Sequence, residues 1–208
     1  KLGIQGVWRG KNKQTTRSRD DQKRADDLVK RNFNADHPDQ LWVSDFTYIQ
    51  THSGWVYTAF IIDVFSRAIV GWKVSTRMNT DMVLDALEQA LHARDMPKNV
   101  IHHSDRGVQY LSIRYTNRLE AANLRASVGT TGDSYDNALA ETVNGLYKTE
   151  VIEYLKADWQ GLADVQLATL NWVDWFNKER VHSALGYVSP FDFEAMYYDK
   201  INPLGQVA

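Results

Sequence analysis

Leu41-Trp42-Val43-Ser44-Asp45-Phe46-Thr47-Tyr48-Ile49 is a run of aromatic and β-branched residues with a single carboxylate in its middle. That composition suits a pleated, half-buried surface, so the stretch reads as a strand. Asp is depleted in strands and costly to strip of water, which makes Asp45 conspicuous. Two more strand-like runs follow, Trp55–Phe65 and Ala68–Ser75. The joins between them, Thr51-His52-Ser53-Gly54 and Ser66-Arg67, are short enough to imply an antiparallel meander.

Farther along, Asn99-Val100-Ile101-His102-His103-Ser104 forms another short strand that Asp105 closes before Arg106-Gly107 turns the chain. Ser134-Tyr135-Asp136-Asn137-Ala138-Leu139-Ala140-Glu141 then opens a helix, with Asp136 or Asn137 placed to cap it. On that helix Glu141, Gly145 and Lys148 share a face, since seven residues make about two turns. Two acids on strands and one on a helix can converge at one end of a sheet. Carboxylates about 4 Å apart repel by roughly 4 kcal/mol at an effective dielectric of 20, so such a cluster needs raised pKa values or cations. Oxygen-only ligands favour a hard cation, Mg²⁺ or Mn²⁺, and the residue reading is a two-metal phosphoryl-transfer site.

The remaining elements fill in around these. Thr80 is the expected cap of a helix over 81–94, with Val83, Leu84, Leu87, Ala90 and Leu91 as its apolar stripe. A helix over 113–123, a short strand over 125–128 and a long helix over 162–180 follow. Leu167, Leu170, Trp172, Val173 and Phe176 supply the apolar surface of the last, and a final helical turn lies near 193–198. Three antiparallel strands, helix, strand, helix, strand, helix is an α/β order: a five-stranded mixed sheet flanked by helices on both sides. A ribonuclease-H-like fold follows that order.

Composition narrows the setting. The 208 residues include no Cys, which excludes disulfides and a thiolate zinc site and suits a reducing, cytoplasmic compartment. No apolar run approaches membrane-spanning length, and no signal-peptide core opens the chain. Lys1 in place of an initiator Met fits a piece of a longer protein. The net charge is −2, yet residues 1–31 carry ten Lys/Arg against four Asp. A basic arm ahead of an acidic core suits phosphate-backbone binding, and equally a solubilising linker. Residues 1–35 therefore read as a basic arm containing a short helix around 20–30, residues 36–195 as the folded core, and 196–208 as a tail.

Several separated motifs resemble one family. Trp42-Val43-Ser44-Asp45-Phe46-Thr47-Tyr48, Asp63-Val64-Phe65-Ser66-Arg67, Val70-Gly71-Trp72 and His102-His103-Ser104-Asp105-Arg106-Gly107-Val108-Gln109-Tyr110 stand in the order of a retroviral-integrase-like transposase core. Asp136-Asn137-Ala138-Leu139-Ala140-Glu141 and the segment from Trp175 to Pro190 fit the same pattern, that of the second-frame product of the insertion-sequence-three family. The resemblance implies a DDE-type transposase that cleaves 3′ ends and transfers strands during transposition. Asp45, Asp105 and Glu141 would be its catalytic, metal-binding triad, with two Mg²⁺ or Mn²⁺ ions. It also implies DNA as partner, both element ends and target, a homodimer or higher multimer on DNA, and a cytoplasmic, nucleoid-associated location. Lys148 matches the family's lysine two turns after the glutamate, expected to contact DNA, and the opening basic segment, residues 1–35, resembles the tail end of a helix-turn-helix DNA-recognition region. The chain departs from many relatives at Ala126-Ser127-Val128-Gly129-Thr130 and at Thr142-Val143-Asn144-Gly145.

Plain alternatives stand beside these readings. Asp45 can be a strand-edge acid paired with Arg or Lys, and Asp105 a turn cap. Asp63 beside Arg67 reads better as a salt-bridge or turn residue than as a ligand. His102 and His103 lack a convincing third zinc ligand, so local hydrogen bonding is preferred. Asn137 divides between helix cap and support of the site, and with Lys148 and Arg106 it is a candidate DNA contact. The seven Trp can stack on bases but mostly sit in core patterns. A nuclease that cuts without joining, or an inert DNA-binding or multimerisation module, are the competing functions.

Overall fold

Strand alternation builds the first layer. In the computed structural model, which describes residues 25–105, 107–129, 137–154 and 158–202, β1 (Leu41–Thr51), β2 (Gly54–Asp63) and β3 (Ile69–Ser75) form the expected antiparallel meander. Gly54 closes the first hairpin at φ 110°, a conformation that L side chains rarely adopt. Asp63 closes the second turn by accepting the Ser66 backbone N–H at 2.8 Å and the Ser66 hydroxyl at 3.0 Å. It also accepts the Asp39 N–H at 2.8 Å, so the buried Asp63 has the turn role rather than a ligand role.

β4 (Ile101–Ser104) lies parallel to β1, and β5 (Arg125–Val128) parallel to β4, giving the order β3-β2-β1-β4-β5. One face carries Trp42, Ala59, Ile61 and Val70 against α1 (Thr80–Ala93) and α2 (Ile113–Ala121). The other carries Val43, Phe60, Ile62 and Val74 against α3 (Ala138–Tyr147) and α4 (Leu162–Lys178). Gly71 lets α1 approach β3 closely: a Cβ there would fall on the Ala86 carbonyl oxygen and 2.9 Å from the Ala90 Cβ. Asn177 pins α4 to β3 through paired bonds to the Ile69 backbone, 2.8 and 2.9 Å long. α5 (Pro190–Ile201) docks through a two-pronged Arg94–Glu194 ion pair and through Phe65 against Phe193 and Tyr197.

Some expectations shift. Asn79, not Thr80, caps α1, its side chain accepting the Met82 N–H at 3.2 Å. Leu167 and Leu170 are 60% and 51% exposed. The buried stripe of α4 is instead Val165, Thr169, Trp172, Val173 and Phe176, because Thr169 and Asn177 bond inward and turn that face to the sheet. The last helix is 12 residues long rather than a turn. Most of the basic arm lies outside the described residues; its end, from Ala25, is non-helical and packs on the sheet, with Val29 buried and the Leu28 N–H bonded to Ser127 Oγ at 2.9 Å. Among the Trp, Trp42 and Trp172 are core residues, whereas Trp55 and Trp175 are exposed.

Candidate active site

The parallel β1–β4 ladder ends at the pair Ser44↔Ser104. Asp45 and Asp105 each come directly after that last pair, on neighbouring strands about 5 Å apart. Beyond Ser44 the edge of β1 has lost its β4 neighbour, and α3 comes against it. Asn137 Nδ2 donates to the Ser44 carbonyl at 2.9 Å, and Asn144 Nδ2 donates to Asp45 Oδ2 at 2.9 Å. Asn137, Glu141, Asn144 and Lys148 fall at spacings of four, three and four residues, which is one stripe of a helix. Two of the four hold β1, and Glu141 stands between them on the exposed side.

Asp45 feels both other acids. Its carboxyl is pushed up to about 7, first by burial and then by the charges of Asp105 and Glu141. Bonds from the Phe46 N–H, at 2.8 Å, and from Asn144 pull it the other way. Asp105 is raised as well, by burial, against the Gly107 N–H and the nearby His103. That N–H reaches Asp105 Oδ1 at 2.8 Å in a tight turn, and a Cβ on Gly107 would stand only 2.9 Å from the same oxygen. The turn role of Asp105 therefore coexists with its place beside Asp45. Among the described residues no lysine or arginine acts on Asp45, whose carboxyl meets the charges of Asp105 and Glu141 instead.

The imidazoles are otherwise engaged. His102 Nε2 bonds the Tyr115 hydroxyl at 3.0 Å, and His103 Nδ1 bonds Ser127 Oγ at 2.8 Å. Among the described residues no three His, Asp or Glu side chains close around an ion-sized space. The carboxylates are an open, all-oxygen donor set with excess negative charge, which fits a hard divalent cation on chemistry.

Lys148 opens a wider π turn (Lys148–Glu153) that continues α3. Its ammonium lies 4.8 Å from the centre of the Tyr48 ring. Glu150 in the same turn is clamped by Arg180 at 2.7 and 2.9 Å and by Trp172 Nε1 at 2.9 Å, tying this segment to α4. Asn137 is only 5% exposed, and its amide donates to the Ser44 carbonyl, so it supports β1. It starts α3 without a side-chain capping bond. Arg106 and Asp136 lie outside the described residues. Asn144 is the residue that sequence reasoning missed; its position in the Asn137–Glu141–Lys148 stripe was the available signal.

Two integrase core domain families match residues 35–134 and 122–190. The chain is 56% identical over 200 residues to the transposase for insertion sequence element IS629 of Shigella sonnei, covering 96% of this chain and 66% of that protein. It is 50% identical to a putative transposase for IS986/IS6110 of Mycobacterium tuberculosis, covering 95% of this chain and 73% of that one. The chain belongs to the integrase-core transposases of insertion sequences. Another member, transposase InsF for IS3A of Escherichia coli, is 38% identical over 82% of this chain and 59% of its own length. The chain thus spans just under two thirds of the Shigella relative.

Solved structures extend the family's fold to viruses. The HTLV-2 integrase catalytic core in complex with magnesium superposes with a TM-score of 0.61 at 18% identity, over 77% of this chain and 99% of that one. A chain of the simian T-cell lymphotropic virus intasome reaches 0.65 at 16% identity, over 76% and 55%. These likenesses make the five-stranded sheet with its flanking helices an integrase, ribonuclease-H-like fold.

Proposed function

We propose that this chain is the catalytic core of a transposase that cuts DNA at insertion-sequence ends and joins the freed 3′ end to a target strand. The observation that carries the reading is the placing of Asp45 and Asp105 side by side after the last β1–β4 pair, with α3, the helix of Glu141, bonded to Asp45 through Asn144, in a member of this family. Asp45, Asp105 and Glu141 are the residues that would hold divalent metal, Mg²⁺ or Mn²⁺, as two ions. Bound there, the metal would polarise the attacking oxygen and neutralise charge at the leaving oxygen.

The protein's own part is positioning. Asn144 and the Phe46 N–H fix both oxygens of Asp45, and Asn137 holds the strand at Ser44. Lys148 offers a cation to a phosphate near the cut, and each such contact steepens the salt dependence of binding by about one unit of log–log slope. In the first step water displaces a 3′ oxygen from phosphorus. In the second the freed 3′-hydroxyl attacks a target phosphodiester, forming one P–O bond as another breaks, with no covalent enzyme intermediate.

The HTLV-2 core is known in dimeric and trimeric forms. By analogy this chain works as a multimer on paired ends, in the bacterial cytoplasm with the nucleoid. No helix among the described residues is long and apolar enough to cross a membrane. A labelled element end incubated with target DNA and Mg²⁺ tests the reading. Wild type should yield both cut and joined product, and Asp105→Asn should lose about a hundred- to a thousandfold of both, as expected when a charge-stabilising group at the reacting centre is removed. Joining by Asp105→Asn at the wild-type rate would refute it, and cutting without joining by wild type would make the chain a nuclease.

A further inference from the structure

Three residues beyond Asp45 on the same strand, the aromatic pattern turns outward. Tyr48 is 55% exposed and Trp55, across the β1–β2 hairpin, is 49% exposed. Their rings meet edge to face, with centroids 5.3 Å apart and planes at 81°. Lys148 sets its ammonium over Tyr48, as described above, so one exposed patch joins two aromatic faces and a cation. The hairpin beneath it is braced: the His52 and Ser53 N–H groups donate to the Trp159 and Gln160 carbonyls at 2.9 and 3.1 Å, and Ser53 Oγ donates to Gln160 O at 2.6 Å. The cross-strand aromatic pair steadies the hairpin and still leaves about half of each side chain open to water. Such a patch beside a lysine is what an unstacked nucleobase and its phosphate recognise.

Successive side chains of a strand point to opposite faces, so Tyr48 stands on the face opposite Asp45. Lys148, in the stripe that carries Glu141 and Asn144, reaches the Tyr48 ring and ties the patch to the acids' side of the sheet.

We propose that Tyr48 and Trp55 form a stacking platform for an unpaired base of the DNA strand near the cut, with Lys148 on its phosphate. This rests on the proposed active-site reading, which brings DNA beside Lys148. The site takes a flipped or frayed nucleobase of any identity, since every base has a π face. It thereby favours DNA ends that open easily over fully paired ones.

The test uses this chain and a short DNA end carrying 2-aminopurine at successive positions of a single-stranded tail, in EDTA so that only binding is read. The platform predicts fluorescence quenching concentrated at one or two neighbouring positions. Trp55→Leu should abolish the quenching and weaken tailed DNA by about 5- to 150-fold, while Trp55→Phe keeps most of both. Fully paired DNA should bind wild type and Trp55→Leu alike. Tyr48→Ala, at an exposed strand position, gives an independent reading if the first variant folds poorly. Quenching that persists in both variants overturns the platform, as does equal loss of paired and tailed binding. Strand joining by Asp105→Asn would remove the active-site reading and leave these quenching results standing, so the two failures are distinguishable.

Discussion

Asp45 is the residue on which charge, packing and chemistry meet. Its carboxyl titrates at about 7 in the folded chain and returns to 3.8 when unfolded. Between those values the native state holds the extra proton, so this group makes stability fall as pH rises from about 4 to about 7. Asp45→Asn removes that loss. In EDTA the variant should gain on the order of 1–4 kcal/mol over wild type at pH 8 and little at pH 4, read from urea midpoints. An equal difference at both pH values would show that Asp45 is not held among like charges. Divalent cation should narrow the gap at pH 8 by stabilising wild type preferentially. Asp45 and Asp105 were legible as candidates because isolated acids interrupt or close runs that otherwise want apolar side chains. Asn144 was not, since an Asn in a helix carries no such contradiction; only its register with Asn137 and Glu141 gives it meaning.

At the scale of elements, close approach decides more than propensity. α1 lies against β3 at Gly71, where an added methyl meets the backbone of Ala86, a neighbour that cannot swing aside. Gly71→Ala should therefore cost about 1–3 kcal/mol or more by overpacking, visible as a lowered melting temperature with an unchanged denaturant slope. Full wild-type stability would mean that α1 sits farther from the sheet. The strands and their antiparallel joins were legible because aromatic and β-branched runs separated by short links leave little choice. The buried face of α4 was misread because two of its inward residues, Thr169 and Asn177, are polar and take partners in the distant Tyr147 and Ile69. No local pattern announces partners that far along the chain. The packing of Val29 escaped notice for a related reason, as one apolar residue in a charged segment reads as solvated.

For the whole molecule, the order of elements suggested the sheet, but nothing local says that β4 pairs with β1 in parallel. That pairing sets Asp105 beside Asp45, and α3, which carries Glu141, is seated by Ala140, Val143 and Tyr147 in the core and by Asn137 and Asn144 on the edge that β4 leaves open. The three acids were legible as one candidate set through the resemblance of several motifs, not through periodicity. The central claim is that these carboxylates together hold divalent metal where DNA is cut. Its most direct test is a crystal of this chain soaked with Mn²⁺, with anomalous scattering locating the ions. The account predicts Mn²⁺ bounded by Asp45, Asp105 and Glu141, and none in an Asp45→Asn crystal; manganese bound only at other residues, with Glu141 turned away from both aspartates, would contradict it.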